Sequence, residues 1–253
     1  MKKVIITMDR ADQIASHTLR LVPDALVCMP EWQVDEYAKV VPEKQLFPHP
    51  RSVTSQVAAH QWALDNLDDE VVWRFDDDLL SLRSFVSRTH RTYTDPDEID
   101  QVLENTVEMA RGAGAHLAGF TLSLDPKAFM AWNPIRLCHS INGSCFAVIG
   151  RTVRLDTKVL YNDDVDFALQ HLMKHRIILV DTRFNFASEP RNGNKGWAAS
   201  YRSVEQYLAG AEYMKQKWGR YVKYTTRPGK AVNAQVTQIV VRRQQTGTII
   251  GGV

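Results

Sequence analysis

Long apolar runs are missing from this chain. No stretch approaches the roughly 18 to 20 apolar residues that a membrane span needs. The opening MKKVIITMDRAD meets charge again after a handful of apolar residues, too few for a signal peptide. Cysteine is scarce as well. Cys28, Cys138 and Cys145 are odd in number and lack metal-site spacing, so a disulfide scaffold is excluded and a reduced, cytoplasmic setting is expected. Internal repeats, low-complexity tracts and long linkers are also lacking. What remains for 253 residues is one large α/β domain, alone or with an appendage.

Charge is present in both signs but unevenly placed. The net charge of +2 conceals a segment from Tyr201 to Val253 with nine Lys/Arg and two Asp/Glu, so +7, against −5 for the first 200 residues. An acidic body with a basic tail invites an anionic partner for the tail, where a solvated surface is the plainer alternative.

The first 80 residues alternate strand and helix patterns. KVIIT reads as a buried strand and DQIASHTLRLV as a helix. DALVCM reads as a second strand and EWQVDEYAKVV as a short helix. After the turn-rich FPHPRS comes SVTSQVAAHQWALDNL, a helix with Ser52 as its expected cap, and then the strand EVVWRF. This order predicts a mostly parallel central sheet with helices on its faces. Further on, Asp95–Ala113 reads as a helix and LAGFTLSL and CFAVIG as strands. NDDVDFALQHLMKH then reads as a helix, RIILVD as a strand and SVEQYLAGAEYMKQKW as a late helix. The loop Asp125–Gly143, rich in Pro, Asn, Trp and His, is the largest candidate surface, with Trp132 and Asn142 as its candidate acceptor contacts.

Three carboxylates, Asp76, Asp77 and Asp78, directly follow the strand VVWRF. Alternation along an extended chain would point Asp76 and Asp78 the same way. Two such charges about 4 Å apart repel by roughly 4 kcal/mol at an effective dielectric near 20. A divalent cation compensates directly, since Mg²⁺ or Mn²⁺ takes one or two carboxylates together with phosphates and water. The competing reading makes one aspartate the cap of a helix beginning at Leu79, but a cap needs only one acid.

The stretch SVTSQVAAHQWALDNLDDEVVWRFDDDL resembles the approach to the Asp-X-Asp motif of GT-A fold nucleotide-sugar glycosyltransferases. The resemblance spans roughly residues 3–197 and implies a GT-A-like domain over 1–200, with 201–253 as a helix and basic extension packed on it. It implies that Asp78 binds Mn²⁺ or Mg²⁺ directly, that Asp76 meets the metal or ribose, and that Asp77 lies between them on the donor. The segment DDVDF resembles the family's acidic motif before an amphipathic helix, which makes Asp164 the catalytic base with Asp166 as the second candidate; a bland helix-capping role accounts for Asp163. On the donor side the resemblance points to Thr7 and Arg10 after the first strand, Arg51 and Ser55 in HPRSVTSQ, and Arg191, Asn194 and Lys195 in SEPRNGNKGW. That late loop has no histidine, the residue the family commonly uses there as a third ligand.

The late loop and the short length look most like the small phage and TET/JBP-associated glycosyltransferases, which implies a hydroxymethylated DNA base as acceptor and a host cytoplasm as its setting. The basic tail interleaves Trp218, Tyr221 and Tyr224 with cations, and Lys223, Arg227 and Lys230 are its candidate DNA contacts. The alternative is that these aromatics finish a C-terminal core. Glycan, protein and small-molecule acceptors are the other outcomes. A nucleotidyltransferase would show a glycine-rich loop after the first strand, and TMDRADQ has no glycine. A non-catalytic nucleic-acid-binding module would have no use for Asp76, Asp78 and Asp164 together.

Overall fold

The structure is a computed structural model that describes residues 1–86, 89–122, 125, 129–138, 141–159, 161–188, 204–225 and 236–239. The chain runs β1 (Lys2–Ile6), α1 (Ala11–Ile14), α2 (Thr18–Leu21), β2 (Leu26–Pro30), α3 (Val34–Tyr37), β3 (Leu46–His49), α4 (Gln56–Asn66) and β4 (Val71–Asp76). It continues through β5 (Leu79–Val86), β6 (Thr89–Tyr93), α5 (Pro96–Ala113), β7 (Leu117–Phe120), β8 (Ile135–Arg136) and β9 (Cys145–Ile149). It closes with α6 (Asp163–His175), β10 (Leu179–Asp181), β11 (Phe184–Ser188), α7 (Val204–Trp218), β12 (Val222–Thr225) and β13 (Val236–Ile239).

An eight-stranded sheet in the order β3-β2-β1-β4-β9-β7-β10-β8 forms the centre. The first four strands are parallel, β9 runs antiparallel to both β4 and β7, and β10 is parallel to β7. The α/β architecture with a mostly parallel sheet is therefore as the sequence pattern predicts. Two large apolar clusters cover the two faces of the sheet, one including Ile5, Trp73, Phe75 and Phe120, the other Ile6, Val72, Phe146 and Phe167. A third, smaller cluster of Val165, Leu169, Met214 and Val222 seats α7.

Several local expectations are corrected. The helix expected over residues 12–22 is two single turns, α1 and α2. α4 starts at Gln56, and Ser55 rather than Ser52 caps it by accepting from Ala58 N at 3.2 Å. The triplet is followed by strand β5 and not by a helix, so the capping alternative for these aspartates falls. β5 pairs with β6 and β11 in a separate three-stranded antiparallel sheet.

The topology places the triplet. From β1 the chain builds β2 and β3 on one side, then crosses to β4 on the other side of β1. The end of β1 and the end of β4 thus flank a switch point, with Ile6 opposite Asp76. In open α/β sheets a crevice opens there, at the carboxyl ends of the strands.

Candidate functional site

The triplet ends β4 in a tight turn fixed from three directions. Asp76 N donates to Ser144 O at 2.8 Å. Thr18, fully buried on α2, donates its hydroxyl to Asp76 O at 2.7 Å and accepts from Leu79 N at 2.9 Å. Asp77 turns inward, with a side chain 9% exposed, whereas Asp76 and Asp78 remain 27% and 22% exposed. Asp77 accepts from the Thr7 hydroxyl at 2.7 Å and from Arg10 Nη1 at 2.6 Å, and Thr7 meets the Tyr37 hydroxyl at 2.7 Å. Burial raises the Asp77 carboxyl above its ordinary value, while Arg10 pulls it down. Asp77 and Thr7 therefore form the buried floor of the crevice, and Arg10 reaches over it to lie 3.6 Å from Asp78.

The second acidic group opens α6 beside this turn. Asn162 precedes the helix in the left-handed conformation (φ 59°) and makes no side-chain capping bond. Asp163 and Asp164 are half-buried. Burial, with Asp164 beside it, pushes the Asp163 carboxyl up to about 7, and burial also raises Asp164. The charge of Asp76 contributes to both shifts, which links the two acidic groups electrostatically. Asp164 lies flat on Gly143. A Cβ at that position would stand 2.9 Å from its Oδ2, a contact real side chains do not tolerate. Asn142 builds the same turn: its side-chain oxygen accepts from Ser144 N and Oγ, each at 3.0 Å, and the residue is buried. Named by the sequence as an acceptor contact, it has its side-chain oxygen committed to this turn.

Asp166 is also reassigned. It is 1% exposed and accepts from Trp218 Nε1, Lys217 Nζ and Gln170 Nε2, each at 2.7 Å. Its buried carboxylate thus ties α6 to α7, which sets it apart from the more exposed Asp164. Trp218 and Tyr221, expected either on DNA or in a core, pack against the third apolar cluster.

The remaining expected residues scatter. Ser55 is a buried helix cap. Arg51 is 77% exposed at the sheet edge, 5.9 Å from the Trp32 ring centroid. Trp132 is 83% exposed. Lys223 lies in β12. Arg191, Asn194, Lys195, Arg227 and Lys230 lie outside the described residues.

Sequence reasoning missed Arg74 and His60. Arg74, buried in β4, donates from Nη2 to Asp76 Oδ1 at 2.5 Å and from Nε to His60 Nε2 at 2.6 Å. The signal was available: an arginine inside the apolar run VVWRF is rare without a partner.

Among the described residues no group of three or more His, Cys, Asp or Glu side chains is arranged to hold a metal ion. Two half-exposed carboxylates nevertheless suit a cation whose shell is completed by phosphate and water. Both hydrogen bonds to Asp76 use Oδ1, and Oδ2 receives none among the described residues. The donor set at Asp76 and Asp78 thus fits Mg²⁺ or Mn²⁺ carried in with a ligand.

Residues 1–194 match the family model described as TET-Associated Glycosyltransferase. No curated protein matches the sequence. Among solved structures, a mycobacterial protein matches at 12% identity and a TM-score of 0.50, over 94% of this chain and 82% of that one. Glucosyl-3-phosphoglycerate synthase from Mycobacterium tuberculosis, in complex with Mg²⁺ and UDP, matches at 10% identity and a TM-score of 0.49, over 94% and 86%. Mannosyl-3-phosphoglycerate synthase from Rubrobacter xylanophilus matches at 12% identity and a TM-score of 0.48, over 96% and 84%.

Proposed function

The chain belongs to the TET-associated glycosyltransferase family, and we propose that it moves a sugar from a nucleotide-sugar donor, probed first as a UDP-sugar, to an acceptor hydroxyl. The observation that supports this site is the gathering of Asp76, Asp77, Asp78, Asp163 and Asp164 about the switch point, with Arg10 and Arg74 facing them. Asp76 and Asp78 hold Mn²⁺ or Mg²⁺. When bound, the cation neutralises the donor diphosphate and the charge that develops as it departs.

This chain's own residues do the rest. Thr7 and Asp77 keep Arg10 at the crevice, where its guanidinium meets the donor. Arg51 follows β3 at the same carboxyl end of the sheet, and Arg191, Asn194 and Lys195 are the sequence's candidates for binding the departing diphosphate. Asp164, lying on Gly143, takes the proton of the acceptor hydroxyl as its oxygen attacks the anomeric carbon. The bond from that carbon to the diphosphate oxygen breaks, and the nucleoside diphosphate leaves with its electron pair. We take a hydroxymethylated base in phage DNA as the acceptor, because the +7 segment that begins at Tyr201 offers cations to a polyanion.

We test the donor site with Mn²⁺-dependent binding of a UDP-sugar, followed by calorimetry, and turnover as UDP release. Asp78→Asn is expected to weaken Mn²⁺-dependent binding by about 10-fold or more while the fold stays intact. Asp164→Asn is expected to keep donor binding and lose roughly 10² to 10⁴ in turnover. Unchanged binding in Asp78→Asn would remove the metal assignment, and near-parental turnover in Asp164→Asn would move the base elsewhere.

A further inference from the structure

The reaction as described makes no use of His60 or Arg74, yet both lie buried between its two acidic groups. Arg74 holds Asp76 with Nη2 at 2.5 Å and donates from Nε to His60 Nε2 at 2.6 Å. A guanidinium cannot accept a hydrogen bond, so His60 Nε2 is the acceptor and the imidazole proton sits on Nδ1. That N–H has no hydrogen-bond partner among the described residues and faces Asp163 Oδ2 at 3.8 Å. Buried donors are rarely left unpaired, so an orphan aimed at a carboxylate calls for an explanation. The pair is also locked from the side by Phe146 on β9. Its ring centroid lies 5.5 Å from the Arg74 guanidinium carbon, and its ring meets that of His60 edge-on with the centroids 6.5 Å apart.

We propose that His60 and Arg74 are positioning residues that form a buried relay, through which Asp163 at the start of α6 and Asp76 at the end of β4 set each other's position. The inference rests on the reading that Asp76 and Asp78 receive a nucleoside diphosphate with its cation. When the ligand arrives, Asp163 closes the remaining gap to the Nδ1–H. The imidazole is then held from both sides, Arg74 is fixed against it, and Asp76 is fixed against Arg74. Donor binding at one acidic group thereby orders the helix start that carries Asp164.

A double-mutant cycle tests the relay with Mn²⁺ and UDP as probes, Mn²⁺ affinity being read from the electron paramagnetic resonance of the free ion at saturating UDP. Asp163→Asn in the parent is expected to weaken Mn²⁺ binding on the order of 10-fold. His60→Gln keeps an acceptor for Arg74 but has no donor at the Nδ1 position. In that background the same Asp163→Asn change is expected to cost less than about 2-fold. An equal loss in both backgrounds, or no loss in the parent, overturns the relay, because the two carboxylates would then act through space alone or not at all. If His60→Gln melts without cooperativity, His60→Asn replaces it. That variant keeps a donor toward Asp163 and removes the acceptor for Arg74, and the same ratio decides. Asp78→Asn separates the two layers of the reading. If it leaves the Mn²⁺ affinity unchanged, the metal site itself is wrong; if it abolishes binding while the cycle shows no coupling, only the relay falls.

Discussion

Asp163 sits where burial and a neighbouring carboxylate both oppose its charge. Burial, and then the neighbouring Asp164, lift its carboxyl to about 7 from an ordinary 3.8. The unfolded chain releases that proton near the lower value and the folded protein near the upper one. Between the two the native state binds more protons, so stability falls as pH rises through the window and levels off above it. Asp163→Asn has no such proton to lose. Urea unfolding from about pH 5 to about pH 8 should therefore show the variant near the parent in acid and more stable above pH 7. The gap should be on the order of 1–2 kcal/mol, below the full conversion of the shift because the carboxyl is partly in water. A parent whose stability is flat across this range would contradict the burial of the pair. The acids themselves were legible in the sequence, because three in a row after an apolar strand is an unusual arrangement. Their inequality was not: Asp77 is buried and Asp76 half-exposed because Thr7, Arg10 and Thr18, distant in sequence, meet them only in the fold.

At the scale of elements, α7 is tied by charged side chains to α6 and to the loop that precedes α6. Asp166 accepts from Lys217, Trp218 and Gln170, and Asp156 accepts from Tyr213 at 2.8 Å and from Lys217 at 2.7 Å. Removing Asp166 strips Trp218 Nε1 of its acceptor, while Lys217 keeps Asp156. Asp166→Ala should thus lower stability by about 1–3 kcal/mol, seen as a fall in Tm, while Mn²⁺–UDP affinity measured well below the melt stays near the parental value. The opposite pattern, an intact Tm with turnover lost, would return Asp166 to the catalytic pair. The sequence grouped Asp166 with Asp164 because the two share the first turn of one helix, and only the packing of α7, far along the chain, separates their roles. Long periodic elements such as α5 and α6 were readable for the same reason: an amphipathic face, with Asp95 capping α5, declares itself locally. The strands β3, β5, β6 and β11 were not, since short strands of an antiparallel ribbon or a sheet edge depend on partners that the local pattern does not contain.

At the scale of the whole molecule, the acidic crevice and the basic segment have opposite tasks. The crevice concentrates negative charge where a cation and a diphosphate would meet, and the segment from Tyr201 to Val253 carries +7. Trp218 and Tyr221 are taken up in packing, so the cations rather than those aromatics are left to engage an acceptor. If the segment tracks a DNA backbone, binding releases counterions and affinity must fall steeply as salt rises. Replacing Lys223, Arg227 and Lys230 together by Ala should flatten the slope of log affinity against log salt by about two to three units, near 0.9 for each phosphate no longer neutralised. Donor binding should not change, because the proposed donor site lies at the ends of β1 and β4. The measurement is DNA affinity across a salt series for the parent and the triple variant. A parent that fails to bind DNA at low salt, or a triple variant with the parental slope, would detach the segment from the acceptor. A glycan, protein or small-molecule acceptor would then take the place of DNA, with the acidic crevice and its donor chemistry unaffected.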